Sequence, residues 1–221
     1  MKPILFNTDM VRAILKGRKT VTRQLVKPQP KGPLVPTLPG GCWPGYFEEV
    51  GTSRVQRPPY RPGDILYVRE TWTVWNGNYE YKADVDDGYG PFCSNCTLDI
   101  CAGDCNSILK WHPSIHMPRE AARIFLRVTD VRVKRLQNMT EADAFAEGFE
   151  AIVCNHPCDI PCTDCMNTGY LESAMFGFVD MWNSTIKPAD RALYGWDANP
   201  WVWVIEFERI SRKEAMGDGM D

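Results

Sequence analysis

The chain has 221 residues, 44% of them hydrophobic, and carries 25 basic against 28 acidic side chains for a net charge of −3. That length can bury a real core without staples and fits one domain with insertions, or one domain plus a small satellite; the charge balance does not by itself point to nucleic acid. No apolar run approaches the ~20 residues of a membrane span, and Ile4-Leu5-Phe6 after Met1-Lys2 is far too short for a secretory signal, so the expectation is a soluble cytoplasmic protein with no membrane partner.

Ile4, Leu5 and Phe6 read as a short strand. Thr8 is placed to cap a helix, with Asp9 in its first turn. Val11, Ile14 and Leu15 form one stripe, and Gly17 ends the helix. Residues 18–26 alternate like a strand leaving a turn. Residues 28–62 hold nine of the 17 prolines, so an irregular excursion is expected there. Ile65 to Trp72 reads as a strand with Leu66, Val68, Glu70 and Trp72 on one face, and Tyr79–Ala83 as its partner. Residues 123–133 are the clearest strand region, as two strands with a bend or as one. Thr140 opens a helix in which Asp143 stands in for the usual glutamate of a capping box, and Gly148 ends it. A helix from about 171 to 183 follows, with Met175, Phe178, Val179 and Trp182 as its apolar stripe. Trp201 to Glu208 alternates like a strand, with Trp201, Trp203, Ile205 and Phe207 on one side. Strands separated by short helices imply an α+β protein with a curled sheet, and a small barrel removes the edges of such short strands.

Basic side chains cluster locally. Lys2, Arg12, Lys16, Arg18, Lys19, Arg23, Lys27 and Lys31 share the first 35 residues with Asp9 alone among acids, and Arg119, Arg123, Arg127, Arg132, Lys134 and Arg135 form a second group. Such surfaces attract phosphate, or are simply solvated faces. Among eight tryptophans, Trp43 and Trp75 sit in glycine-containing contexts suited to base stacking, whereas Trp201 and Trp203 read as core.

Eight of the nine cysteines fall into two groups of four. Cys93, Cys96, Cys101 and Cys105 lie in an insertion over 84–110, and Cys154, Cys158, Cys162 and Cys165 in another over 151–169. In a reducing compartment such groups hold metal. Four thiolates satisfy one tetrahedral zinc, so one or two structural zinc ions are expected. The sites are either local to each insertion or shared across space, with His156 as a substitute ligand and an iron–sulfur cluster as the alternative. A four-thiolate zinc leaves no open position for catalysis.

The order of four blocks resembles the ASCH family. They are Gly17-Arg18-Lys19-Thr20-x-Thr22-Arg23; Arg61-Pro62-Gly63-Asp64 with Val68-Arg69-Glu70-Thr71-Trp72; Ile115 to Ala121; and Tyr194 to Trp201. The last two are similar to segments of its phage-encoded branch. The resemblance covers most of the chain outside the cysteine insertions. It implies a PUA-like small β-barrel with flanking helices, here an α+β domain over 1–211 with insertions at 28–60, 84–110 and 151–169 and a flexible tail over 212–221. It also implies a cleft for RNA, single-stranded nucleic acid or a nucleoside, lined by Arg18, Arg23, Arg69, Glu70 and Trp72. One branch hydrolyses the acetyl amide of N4-acetylcytidine with a lysine, a threonine and a glutamate, matching Lys19, Thr22 and Glu147.

That trio is chemically coherent. A desolvated lysine beside Arg18 or Arg23 loses its proton more readily, a neutral lysine can activate the Thr22 hydroxyl, and Glu147 can protonate a leaving amine. Equally, such residues serve as ordinary turn, strand and helix positions. Glu70, on an apolar face, requires a cation, with Arg23 and Arg69 as the expected partners. The alternative function is a non-catalytic phage accessory module that binds nucleic acid or a host protein through zinc-stapled insertions.

Overall fold

The computed structural model describes residues 1–37, 46–52, 54–75, 77–85, 110–151 and 173–217. Its strands are β1 (Lys2–Leu5), β2 (Val21–Leu25), β3 (Leu34–Pro36), β4 (Phe47–Glu49), β5 (Val55–Gln56), β6 (Ile65–Arg69), β7 (Trp72–Trp75), β8 (Asn78–Tyr81), β9 (Phe125–Arg135) and β10 (Trp201–Ile210). Its α-helices are α1 (Thr8–Leu15), α2 (Glu141–Ala146), α3 (Ala174–Thr185), α4 (Arg191–Tyr194) and α5 (Arg212–Met216). The α+β class holds. The chain divides into two compact units, one of residues 1–16, 65–127 and 209–221, the other of residues 17–64 and 128–208.

In the first unit β1 runs parallel to β6, with Ile4 opposite Val68, and β6 is antiparallel to the start of β9, with Leu66 opposite Leu126. These four residues are buried and Glu70 follows them inside, as the period-two pattern requires. Beyond β6, β7 and β8 form a hairpin with Trp72 opposite Tyr81. Its turn carries Gly77 at φ +79°, a left-handed conformation that glycine adopts without a Cβ clash. Met117, Ala121, Ala122, Phe125 and Ile210 make this unit's apolar cluster. Helix α1 is capped by Asn7, whose side chain accepts from the Met10 amide, and not by Thr8. Asparagine is as good a cap as threonine, and the helix simply starts one residue earlier than the periodicity indicated.

In the second unit β2 is antiparallel to β10, with Arg23 opposite Val204 and Thr22 opposite Ile205. Val21, Leu136, Met139, Ala144, Phe178, Trp182, Val202 and Val204 form one core, into which α2 and α3 pack. The proline-rich stretch is not wholly irregular, because β3, β4 and β5 form a three-stranded antiparallel sheet within it. Phe47 of that sheet meets Trp203 edge-on at 5.1 Å. Proline is admitted at the margin of such a short sheet, which is where Pro36 sits. Of the two readings of residues 123–133 the single strand holds, since β9 runs over eleven residues. Neither unit's strands close into a barrel among the described residues. Within the tail expected to be flexible, residues 212–216 form α5, for which Ser211 and Glu214 make a capping box, and residues 218–221 lie outside the described residues. No helix among the described residues is long and apolar enough to cross a membrane.

Candidate functional site

Helix α2 begins as its sequence dictates. Thr140 accepts from the Asp143 amide at 3.2 Å, and the Asp143 carboxylate accepts from the Thr140 amide at 2.9 Å. This reciprocal pair satisfies amides that a helix start otherwise leaves open. Glu147 is the C-cap residue of the same short helix. One turn therefore separates two carboxylates on one helix face.

Strand β2 and the turn before it face that helix. The Thr20 amide donates to the Ala146 carbonyl at 2.8 Å, pinning the turn to the helix end. Lys19 then reaches inward. Its ammonium donates to the Val21 carbonyl at 2.8 Å, to the Glu147 carbonyl at 3.0 Å, and to Glu147 Oε2 in a short contact. Arg23 spans the two carboxylates. One terminal nitrogen donates to Glu147 Oε1 at 3.0 Å and the other lies 2.9 Å from Asp143 Oδ1. The Phe178 ring lies 5.9 Å from the guanidinium. Lys19 and Glu147 are each only 2% exposed.

The four charges sum to zero, which is what allows them inside. Burial nevertheless pushes the Lys19 pKa below its ordinary value, with Arg23 adding to that effect and Glu147 opposing it. Asp143 is held below the usual carboxylate range. Its partial burial works against this, and the hydrogen bonds from Thr140 with the charge of Arg23 outweigh it.

Two members of the expected trio thus meet directly. Thr22 is buried in β2, but its side chain leaves the strand on the face opposite to Arg23, which is part of that cluster. Its hydroxyl makes no hydrogen bond among the described residues. Arg18 donates to the Gly148 carbonyl at 3.2 Å and pairs with Glu150 at 2.8 Å. Arg18 and Arg23, expected to meet a substrate, therefore already have acidic partners.

Arg69, Glu70 and Trp72 belong to the other unit. Arg69 donates to the Met117 carbonyl at 2.8 Å. The partner of Glu70 is neither Arg23 nor Arg69 but Arg123, which grips both carboxylate oxygens at 2.9 and 3.0 Å and reaches Asp84 at 2.6 Å. The Arg123 guanidinium lies 3.9 Å from the centre of the Tyr81 ring. Burial raises the Glu70 pKa against the pull of Arg123. Trp72 packs against His112, with ring centres 5.0 Å apart, and edge-on to Tyr79. A fork with both carboxylate oxygens occupied is a structural brace.

In the sequence Asp143 stands out only as a cap. Its spacing of four from Glu147 was the available signal for a second partner. Arg123 gave no such signal, since 53 residues separate it from Glu70. All nine cysteines, His156 and Trp43 lie outside the described residues. Among the described residues no group of three or more potential ligands is arranged to hold a metal ion. Comparison of the chain with family models, with curated proteins and with solved structures finds no match.

Proposed function

We propose that the Lys19–Glu147 site binds RNA or a modified nucleoside and hydrolyses an acylated base such as N4-acetylcytidine. The observation that supports this reading is the meeting of a buried lysine and a buried glutamate, with a buried threonine on the strand that follows the lysine. In the reaction, neutral Lys19 takes the Thr22 proton and Thr22 Oγ1 bonds to the acetyl carbon. The C–N bond breaks and Glu147, which takes the proton that Lys19 gives up across their hydrogen bond, passes it to the leaving amine. Water then cleaves the acetyl ester and restores the hydroxyl. The lowered pKa of Lys19 favours its neutral form.

The same reading takes the fold as a variant of the PUA-like barrel and assigns one or two structural zinc ions to Cys93, Cys96, Cys101, Cys105, Cys154, Cys158, Cys162 and Cys165. Knuckle spacing in sequence is its support. Incubation with N4-acetylcytidine should release cytidine and acetate, and Lys19→Ala should abolish release. If the wild-type protein, folded and zinc-loaded, leaves N4-acetylcytidine and other acylated nucleosides intact, the catalytic reading fails.

One observation favours a non-catalytic alternative. The Lys19 ammonium has an acceptor for each of its three protons, as a structural ion pair would. In that case the module binds nucleic acid or a host protein without turnover.

A further inference from the structure

The loop Tyr194–Trp201 is stitched in place from both sides. Gln29 accepts from the Trp201 amide at 2.8 Å and donates to its carbonyl at 3.0 Å. From the opposite flank, the Gln137 side chain donates to the Trp196 carbonyl at 3.0 Å and its amide to Asn199 Oδ1 at 2.9 Å. Asn199 itself sits at φ +46°, a conformation asparagine tolerates better than most residues. The aromatic side chains at the two ends of this loop are therefore pre-organised.

A cation lies over each of them. The Arg135 guanidinium is 4.5 Å from the Trp201 ring, and the Lys27 ammonium 5.1 Å from the Tyr194 ring. Among the described residues neither cation has an ion-pair partner, in contrast to Arg12, Arg18, Arg23, Arg123 and Arg132. Lys27 is exposed and Arg135 half-buried. The Val26 amide donates to the Trp201 carbonyl and the Leu136 amide to the Pro200 carbonyl, so Lys27 and Arg135 leave the sheet on either side of one strand. Two strand spacings put their backbones about 10 Å apart.

We propose that this end of the second unit is a docking surface for single-stranded nucleic acid, with Lys27 and Arg135 meeting phosphates and the Arg135–Trp201 stack extended by an unpaired base. Its chemistry is what recommends that partner. A guanidinium held over an aromatic ring and anchored to the Asn199 carbonyl at 3.1 Å can take a base on its other face, and an unneutralised lysine two strand spacings away attracts a polyanion. A purely acidic peptide would use the charges but not the stack. The surface uses none of the Lys19, Thr22 and Glu147 side chains, so it stands whether or not that site is catalytic.

The test is fluorescence anisotropy with the full-length protein and a labelled single strand of about 12 nucleotides, as RNA and as DNA, between about 50 and 200 mM salt. The double variant K27A/R135A should weaken binding at least about tenfold and shrink the log–log salt slope by about 1.4, the amount for two lost single-strand phosphate contacts. R135K should keep the slope yet still weaken binding, because an ammonium does not stack as a guanidinium does. A control lacking two other exposed cations, R54A/K213A, should bind like wild type, and each variant's unfolding midpoint reports whether the fold is kept. Unchanged binding by both K27A/R135A and R135K would overturn the proposal. So would an equal loss in the control, tighter binding of a duplex of the same sequence or of an acidic peptide than of the single strand, or no binding at all at low salt. Failure to hydrolyse N4-acetylcytidine with the K27A/R135A effect intact would remove only the catalytic reading.

Discussion

Lys19 and Glu147, 128 positions apart, form an ion pair in which both side chains are almost wholly buried. A charge pair taken from water is stable only while every charge keeps its partner. Glu147→Leu or Lys19→Met should therefore each cost about 3–5 kcal/mol. The double change to Lys19→Met with Glu147→Leu should recover much of that loss, since an apolar pair of similar volume leaves no buried charge. Chemical denaturation of the four proteins closes the cycle. A loss in the double variant equal to the sum of the two single losses would show that the pair is not coupled.

The Lys19 pKa is lowered from 10.5 by burial. In the alkaline range just below that value the unfolded chain then holds a proton that the folded chain has released. Stability contributed by this group should accordingly rise as pH climbs toward 10.5. Urea midpoints from neutral pH upward should show the rise in wild type and a flatter profile in Lys19→Met.

Asp143 behaves in the opposite range. Its folded pKa lies below 3.8, so its contribution is complete above that value and disappears as pH falls below it. Asp143→Asn keeps an acceptor for the Thr140 amide but loses the charge opposite Arg23. Acid unfolding of this variant should show a shallower loss of stability below about pH 4.

Arg123 braces Glu70, which is 1% exposed, while Arg123 itself keeps some solvent contact. Arg123→Lys retains the charge but cannot grip two oxygens in parallel. A loss of about 2–3 kcal/mol is expected, less than for a fully buried pair because solvent screens part of the interaction. If Arg123→Lys melts with wild type, the fork is not what holds Glu70.

Phe178 joins the core to the charged cluster. It stacks on Trp182 at 6.0 Å, meets Phe149 and Trp196 edge-on and lies under Arg23. Phe178→Ala should cost about 3–5 kcal/mol, and it removes the floor beneath the guanidinium. The variant should therefore lose turnover, or nucleic-acid affinity, beyond what its stability loss at the assay temperature explains.

Local rules read from the sequence account for much of the scaffold. The Thr140–Asp143 capping box, the glycine end of α1 at Gly17, the buried alternation of Leu66, Val68 and Glu70, and the strand from Trp201 depend on neighbours within a few residues, and such patterns are visible in one dimension. Competition between equally good signals moved the α1 cap from Thr8 to Asn7. The short sheet β3–β5 leaves no signal in the sequence because pairing between strands, not composition, creates it among the prolines.

Partnership at long range was decided only in three dimensions. The chain alone put a lysine, a threonine and a glutamate in candidate roles, and determined that a carboxylate on the Leu66–Val68 face would need a cation. The tertiary structure selected Arg123 over Arg23 and Arg69 for Glu70, and gave Arg23 to Asp143 and Glu147 instead of to a substrate. It also set Lys27 and Arg135 over aromatic rings without acidic partners. The physical reason is that a buried charge pairs with whichever opposite charge the packing brings within hydrogen-bond reach, and sequence separation says almost nothing about which one that is.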